Sequence, residues 1–216
     1  MAFPAPALEL VHLACRRGGR ALFRGVNLAL PAGRMAWLRG GNGRGKSSLL
    51  RLAAGLARPD AGRVLWQGAP LHANASFHAQ RAYVAHAHAL NDDLRAAEAL
   101  RFLARVSGRD AGDASVSNAL ARMDLLALRD APVRRLSQGQ RRRLALARLA
   151  LEPRAGLWLL DEPFDALDAR AADALRALLH EHLRADGCAL IASHQPIAAA
   201  AFGAIELDLD AHAALA

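Results

Sequence analysis

The sequence predicts an α/β fold: a mostly parallel sheet covered by helices on both faces, with an antiparallel β part before it and a helical segment inserted into it. Three observations carry that expectation. Short runs such as Met35–Leu38, Gly156–Leu160 and Cys188–Ala192 are apolar throughout, as strands buried on both faces are. Stretches of helical spacing separate these runs. The first thirty residues alternate loosely between apolar and polar, whereas residues 93–128 carry helical periodicity with no strand pattern.

The elements follow in order. Leu8–Ala14 and Ala21–Leu30 read as two strands around an Arg16–Arg20 turn that holds two glycines, and Pro31-Ala32-Gly33 makes a second turn. Met35–Leu38 is a short strand running into Gly40, and a helix starts at Lys46 and ends near Gly55 and Pro59. Arg63–Gln67 and Arg81–Ala85 are further strands. Leu94, Ala97, Leu100, Leu103 and Ala104 share one face of a helix, a Gly108–Asp113 loop follows, and Ser117–Met123 is helical again. Residues 87–136 therefore read as a helical insert, with 1–86 and 137–216 as the core of a single domain. After the insert come an Arg-rich helix over Gln138–Leu151, the strand Gly156–Leu160, a helix over Ala169–Arg184 and strands at Cys188–Ala192 and Ile205–Leu209.

The chain has 216 residues, 53% hydrophobic and 22% charged, which excludes disordered, collagen-like and disulfide-scaffold classes. Pro196–Ile205, an uncharged run near the end, falls well short of the ~20 apolar residues of a membrane helix. The start MAFPAPALELVH predicts no secretory leader. Cys15 and Cys188 lie far apart in no metal-like spacing and read as reduced, buried thiols. The net charge of +8 comes from arginines spread along the chain, so no nucleic-acid partner is expected. Lys46 is the single lysine. In a chain that uses Arg at every other basic position, it marks a place where a compact ammonium is needed and a planar fork does not serve.

Residues 40–47, GGNGRGKS, fit G-x-x-x-x-G-K-[ST] between an apolar strand and a helix. Gly40, Gly41, Gly43 and Gly45 are expected to take positive φ and wrap the backbone, together with Asn42 and Arg44, around phosphate oxygens. Lys46 would reach the β- and γ-phosphates, Ser47 would ligate Mg²⁺ and Ser48 would support it. A GTPase would need an N-K-x-D base reader, for which the chain has no second lysine. The strand LWLLDEP ends in two carboxylates, Asp161 placed for the Mg²⁺ shell and Glu162 placed to polarise an attacking water. In LSQGQ (136–140), Ser137 is a helix N-cap with the Gly139 amide in the first turn. His194 closes the Cys188–Ala192 strand, at the end where parallel sheets bind ligands.

Together, GGNGRGKS, LSQGQ, LWLLDEP, Ala166-Leu167-Asp168 and His194 resemble the ATP-binding-cassette (ABC) ATPases, in that family's order and over essentially the whole chain. The resemblance implies a P-loop NTPase (RecA-like) core, ATP with Mg²⁺, and a homodimer with two nucleotides in its seam. Ser137, Gly139 and Gln140 of one copy would hold the γ-phosphate bound to Lys46 of the other. Glu162 would activate water, His194 would sense the γ-phosphate and Asp168 would cross the seam. A narrower resemblance, to the ATP-binding subunits of haem exporters in c-type cytochrome maturation, rests on DAGRVLWQGAPL (60–71), the His86 region and SHQP (193–196). It implies integral membrane subunits as partners and a peripheral place on the cytoplasmic face of the bacterial inner membrane. His86 stands where the family carries a metal-linking Gln and is a further metal candidate; a haem-ligand role for His86 or His88 is a minor alternative. The chain departs from the haem-exporter subunits at Ala89 and Asn91. Where the family stacks an aromatic on adenine, Arg16 and Arg17 stand, with Arg17 the candidate base contact and Phe23 an alternative. Arg141–Arg143 reads as a solvated helix face or as a phosphate contact across the dimer. Competing functions are another small-molecule or lipid exporter, a nucleic-acid-associated ABC ATPase and a P-loop kinase; the last leaves LSQGQ without a purpose.

Overall fold

The computed structural model describes residues 6–74, 76–87, 89–151, 156–194 and 202–213. The chain divides into two compact units, Met1–Tyr83 with Arg154–Glu162 and His182–Ala216, and Val84–Pro153 with Pro163–Glu181.

In chain order the first unit is built from β1 (Pro6–Arg17), β2 (Arg20–Pro31), β3 (Met35–Arg39), α1 (Lys46–Ala53), β4 (Ala61–Trp66), β5 (Ala69–Pro70), α2 (Phe77–Gln80), β6 (Arg81–Val84), β7 (Leu157–Asp161), β8 (Cys188–Ala192) and β9 (Ile205–Asp208). Two sheets result. One has the order β2-β1-β4-β5 with antiparallel pairs. The other has the order β6-β7-β8-β3-β9, and its β7–β8, β8–β3 and β3–β9 pairs are parallel. Every residue of β7 and β8 is buried, which is why those strands read as unbroken apolar runs. β2 instead buries Phe23, Val26, Leu28 and Leu30, the residues on one face of a half-covered strand. Leu49 and Leu50 of α1 are fully buried, each contributing about 1.5–3 kcal/mol, and α1 packs against β7 and β8. Parallel pairing brings the C-terminal ends of β3, β7, β8 and β9 to one edge, where α/β sheets bind ligands.

A buried aromatic pair backs the sheet. The His182 ring stacks on Trp158 at 3.9 Å and 11°, with Nε2 3.1 Å from the Cys188 carbonyl oxygen. A Cβ at Gly187 would stand 2.3 Å from His182 Cε1, so the ring fits only beside a glycine. Burial pushes the His182 imidazole down to about 4, against the smaller opposing pull of the Cys188 and Gly156 backbones. Burial likewise pushes the Cys188 thiol up to about 12; both cysteines are buried and unpaired, as expected.

The second unit contains α3 (Ala96–Val106), α4 (Asp113–Arg122), α5 (Gln138–Ala147) and the first part of α6 (Ala169–Arg184), with 3-10 turns at Leu126–Leu128, Val133–Arg135 and Arg148–Leu151. Leu100, Val116, Leu120, Met123, Val133 and Leu144 are among its buried side chains. The α/β architecture with its antiparallel sheet and helical part is the expected one, with local corrections. α3 begins at Ala96 and not at Asp93, because the Glu98 carboxylate reaches back to the Arg95 N–H at 2.8 Å and caps the helix there. α4 starts at Asp113 and not at Ser117. α5 stops at Ala147, its last turn tightening to 3-10 geometry over Arg148–Leu151. Among the described residues, no helix is long and apolar enough to cross a membrane.

Candidate functional site

β3 leads into the loop 40–45 and α1 follows. Gly40, Gly43 and Gly45 have φ of +145°, +75° and +100°. Gly41 does not take a positive φ, which corrects the expectation for that residue. Gly45 is the tightest point: it caps α1, and a Cβ there would stand 3.1 Å from Leu22 Cβ and from two Phe23 ring carbons. Gly45→Ala is therefore expected to cost about 1–3 kcal/mol in stability; urea unfolding measures it, and an unchanged midpoint would show that the loop relaxes freely.

The Lys46 side chain is folded back into its own loop. Its Nζ donates to the Gly40 carbonyl at 2.8 Å and to the Gly41 carbonyl at 3.4 Å, and it lies 3.1 Å from His194 Nε2. The same His194 nitrogen is 3.3 Å from Glu162 Oε1, and the His194 backbone N–H donates to Glu162 Oε2 at 3.0 Å. An ammonium, an imidazole and a carboxylate thus converge on one point at the sheet edge. One ring nitrogen cannot donate to Glu162 and accept from Lys46 at once, so only one of the two contacts is a hydrogen bond at a time. Glu162 is 7% exposed, and its φ of +49° is a left-handed conformation that costs a non-glycine residue energy. Its N–H bonds the Ala192 carbonyl at 2.9 Å, which ties the end of β7 to the end of β8. Asp161, 4% exposed, ends β7 beside Ala192 of β8. Ser47 is exposed in the first turn of α1, and Ser48 is half-buried. A hydroxyl and a carboxylate are hard oxygen donors and suit Mg²⁺ held jointly with phosphate.

A pocket of about 450 Å³ opens beside the loop, lined by Arg20, Ala21, Leu22, Gly41, Asn42, Gly43, Arg44 and Asp210, within the size range of small-molecule sites. Arg17 is exposed at the end of β1 and is not among these lining residues. Phe23 is fully buried behind Gly45 and cannot stack on a base, a second correction. Arg20, Ala21 and Leu22 were not signalled by any motif, although Arg20 closes the Arg16–Arg20 turn and the other two follow it; Asp210 had no sequence signal at all.

The remaining candidates lie in the second unit. Ser137 caps α5: its Oγ accepts from the Gln140 N–H at 3.2 Å, and Gln140 Oε1 accepts from the Ser137 N–H at 2.8 Å, a reciprocal capping box. A Cβ at Gly139 would stand 2.8 Å from the Ala166 carbonyl oxygen, so LSQGQ packs closely on the loop that carries Asp168. Asp168 Oδ1 accepts from the Ala171 N–H at 2.8 Å at the start of α6. His86 is exposed, its Nδ1 4.0 Å from Asp165 Oδ2. Arg142 is buried and donates to the Ala85 carbonyl at 3.0 Å, while Arg141 pairs with Asp92 at 2.7 Å; the expected solvated face of that run therefore excludes Arg142. His88, Gln195 and Pro196 lie outside the described residues.

The profile of the ABC transporter family matches residues 23–165. The cytochrome c biogenesis ATP-binding export protein CcmA of Aromatoleum aromaticum is 47% identical over 191 residues, covering 88% of this chain and 89% of that protein. The protein of the same name from Escherichia coli strain K12 is 44% identical over 191 residues, covering 88% and 90%. A solved structure, a putative ABC transporter ATP-binding protein from Pyrococcus furiosus, superposes with a TM-score of 0.82 at 21% identity, covering 96% of this chain and 99% of that one.

Proposed function

The chain belongs to the ABC transporter family, and from that membership we propose that it binds and hydrolyses ATP as the motor subunit of a membrane exporter, acting in haem export during biogenesis of c-type cytochromes. The observation that carries the ATPase reading is the meeting of Lys46, His194 and Glu162 at the sheet edge, next to a glycine-wrapped loop. The 44–47% identity to CcmA proteins supports the haem-export assignment.

In this reading the N–H groups of the loop other than those of Gly41 and Arg44, which are bonded within the protein, cradle the phosphates together with the start of α1. Lys46 leaves its two carbonyl partners for the β- and γ-phosphates. Ser47 and Asp161 would hold Mg²⁺, which when bound would neutralise phosphate charge. Glu162 takes a proton as water attacks the γ-phosphorus: a P–O bond to water forms, the bond to the β-bridging oxygen breaks, and ADP leaves. His194 contacts the γ-phosphate and reports its presence to Glu162. Ser137, Gly139 and Gln140 of a second copy close over the same nucleotide, with Asp168 crossing the seam. The base and sugar lie against Arg20–Leu22, with Arg17 near the rim. The dimer works on integral membrane subunits from the cytoplasmic face of the bacterial inner membrane.

Lys46→Ala tests the cradle. ATP affinity by titration calorimetry is expected to fall at least about tenfold, since charge-assisted bonds to phosphate are the strong ones; unchanged affinity would remove Lys46 from the site. Co-purification of the chain with its membrane subunits tests the export assignment, and recovery of partners unrelated to haem maturation would redirect it to another cargo.

A further inference from the structure

Asp210 lies outside every motif, yet the fold delivers it to the phosphate loop. β9 pairs in parallel with β3 in a register that sets Arg39 against Asp208, so the residues just past both strands emerge side by side. Past β3 comes the loop; past β9 comes the 3-10 turn Asp210–His212. The Leu209 N–H bonds the Arg39 carbonyl at 3.0 Å, and Asp208 Oδ1 accepts the Asp210 N–H at 2.9 Å, which fixes the backbone of residue 210. A Cβ at Gly40 would stand 3.2 Å from Leu209 Cβ, so the approach is close.

One carboxylate then grips the loop at two points. Asp210 Oδ2 accepts the Gly41 N–H at 3.0 Å, and Oδ1 lies 2.7 Å from Arg44 Nε. Gly41 and Arg44 are themselves joined, the Arg44 N–H donating to the Gly41 carbonyl at 3.3 Å. The first turn of the loop is thus closed from outside by a protein carboxylate, while Lys46 holds it from inside. Both side chains of the pair are nearly half exposed, so the ion pair by itself weighs little. Its effect lies in the two-point geometry: a loop already wrapped pays less ordering entropy when a ligand arrives.

We propose that Asp210 is a positioning residue for nucleotide binding, a clasp that holds the phosphate loop in its wrapped shape through Gly41 and Arg44. The proposal rests on the ATP-binding reading of the same site. Arg44 in this arrangement serves the loop's shape and not the phosphate.

The test measures ATP affinity and steady-state ATPase for the full chain and for Asp210→Ala, Asp210→Asn, Asp210→Glu, Arg44→Ala and the Asp210→Ala/Arg44→Ala double variant. Asp210→Ala is expected to raise Kd and KM for ATP about three- to tenfold, the order of one charge-assisted hydrogen bond partly screened by water, with a smaller change in kcat. Asp210→Asn, whose amide oxygen still accepts from Gly41, should fall between the parent and Asp210→Ala, and Asp210→Glu should recover part of the loss. The double variant should bind ATP no more weakly than Asp210→Ala alone. If Asp210→Ala does not fold, Asp210→Asn, which keeps the side-chain shape, decides by the same criteria. Unchanged Kd and KM, or a fall in kcat alone, would overturn the clasp. Tighter ATP binding in Asp210→Ala would overturn it in favour of Arg44 as a phosphate ligand that Asp210 sequesters. A parent chain that binds no ATP would overturn the ATP reading, and the clasp with it.

Discussion

Glu162→Gln is expected to bind ATP as the parent does and to lose at least about 100-fold in turnover, the low end of what a positioned base contributes. Gln has the shape of Glu, and its carbonyl oxygen can still accept the His194 N–H that Glu162 Oε2 accepts at 3.0 Å. The backbone bond to Ala192, which holds residue 162 at its unusual φ, does not involve the side chain. What the substitution removes is the capacity to take a proton from water. Phosphate release under saturating ATP measures the loss, and calorimetry checks that binding persists. Turnover at the parent rate would take Glu162 out of the chemistry and leave Lys46 and His194 as the remaining groups at that point. Binding lost together with turnover would place Glu162 among the groups that hold the fold of the sheet edge.

Acid is expected to destabilise the chain through His182. The imidazole titrates near 4 in the folded protein, below the usual 6.5, because burial disfavours its charged form. Between those two values the unfolded chain binds a proton that the folded chain does not, so stability falls as pH drops through this window and is fully present above it. From pH 7 to pH 5 the loss from this one group is about 2 kcal/mol. Urea unfolding at the two pH values reads it, and His182→Phe, which keeps a ring over Trp158, should shed that part of the slope. An equal slope in the two proteins would show that His182 is not the group responsible.

How far the sequence disclosed these features depended on the range of the interactions that make them. β3, β7 and β8 were legible as unbroken apolar runs because helices cover a sheet in which they sit internally. The phosphate loop was legible because its glycines, lysine and serine are contiguous and local backbone chemistry dictates them. Ser137 as a cap was legible for the same reason; the return bond from Gln140 appeared only in the structure. α2 was missed because four residues, FHAQ, are too few to display a period. The start of α3 was misplaced because a single side chain, Glu98, outweighs the apolar spacing that begins at Leu94. Phe23 looked available for stacking because exposure is a tertiary property; the packing of β2 behind Gly45 buries it. Asp210 was invisible because its partner Gly41 is 169 residues away and only the parallel β3–β9 register joins them.

The lone lysine, held at 8% exposure between two carbonyls and an imidazole, gives the molecule an unusual practical property. Any reagent selective for side-chain amines has one address in this chain, and the arginine-rich surface is silent to it. Acylation of Lys46, separated from that of the α-amine by peptide mapping, or a resonance from isotope-labelled lysine therefore observes the innermost turn of the cradle with no mutagenesis. The protein comes with its own spectroscopic tag, installed at the position where occupancy has to be read.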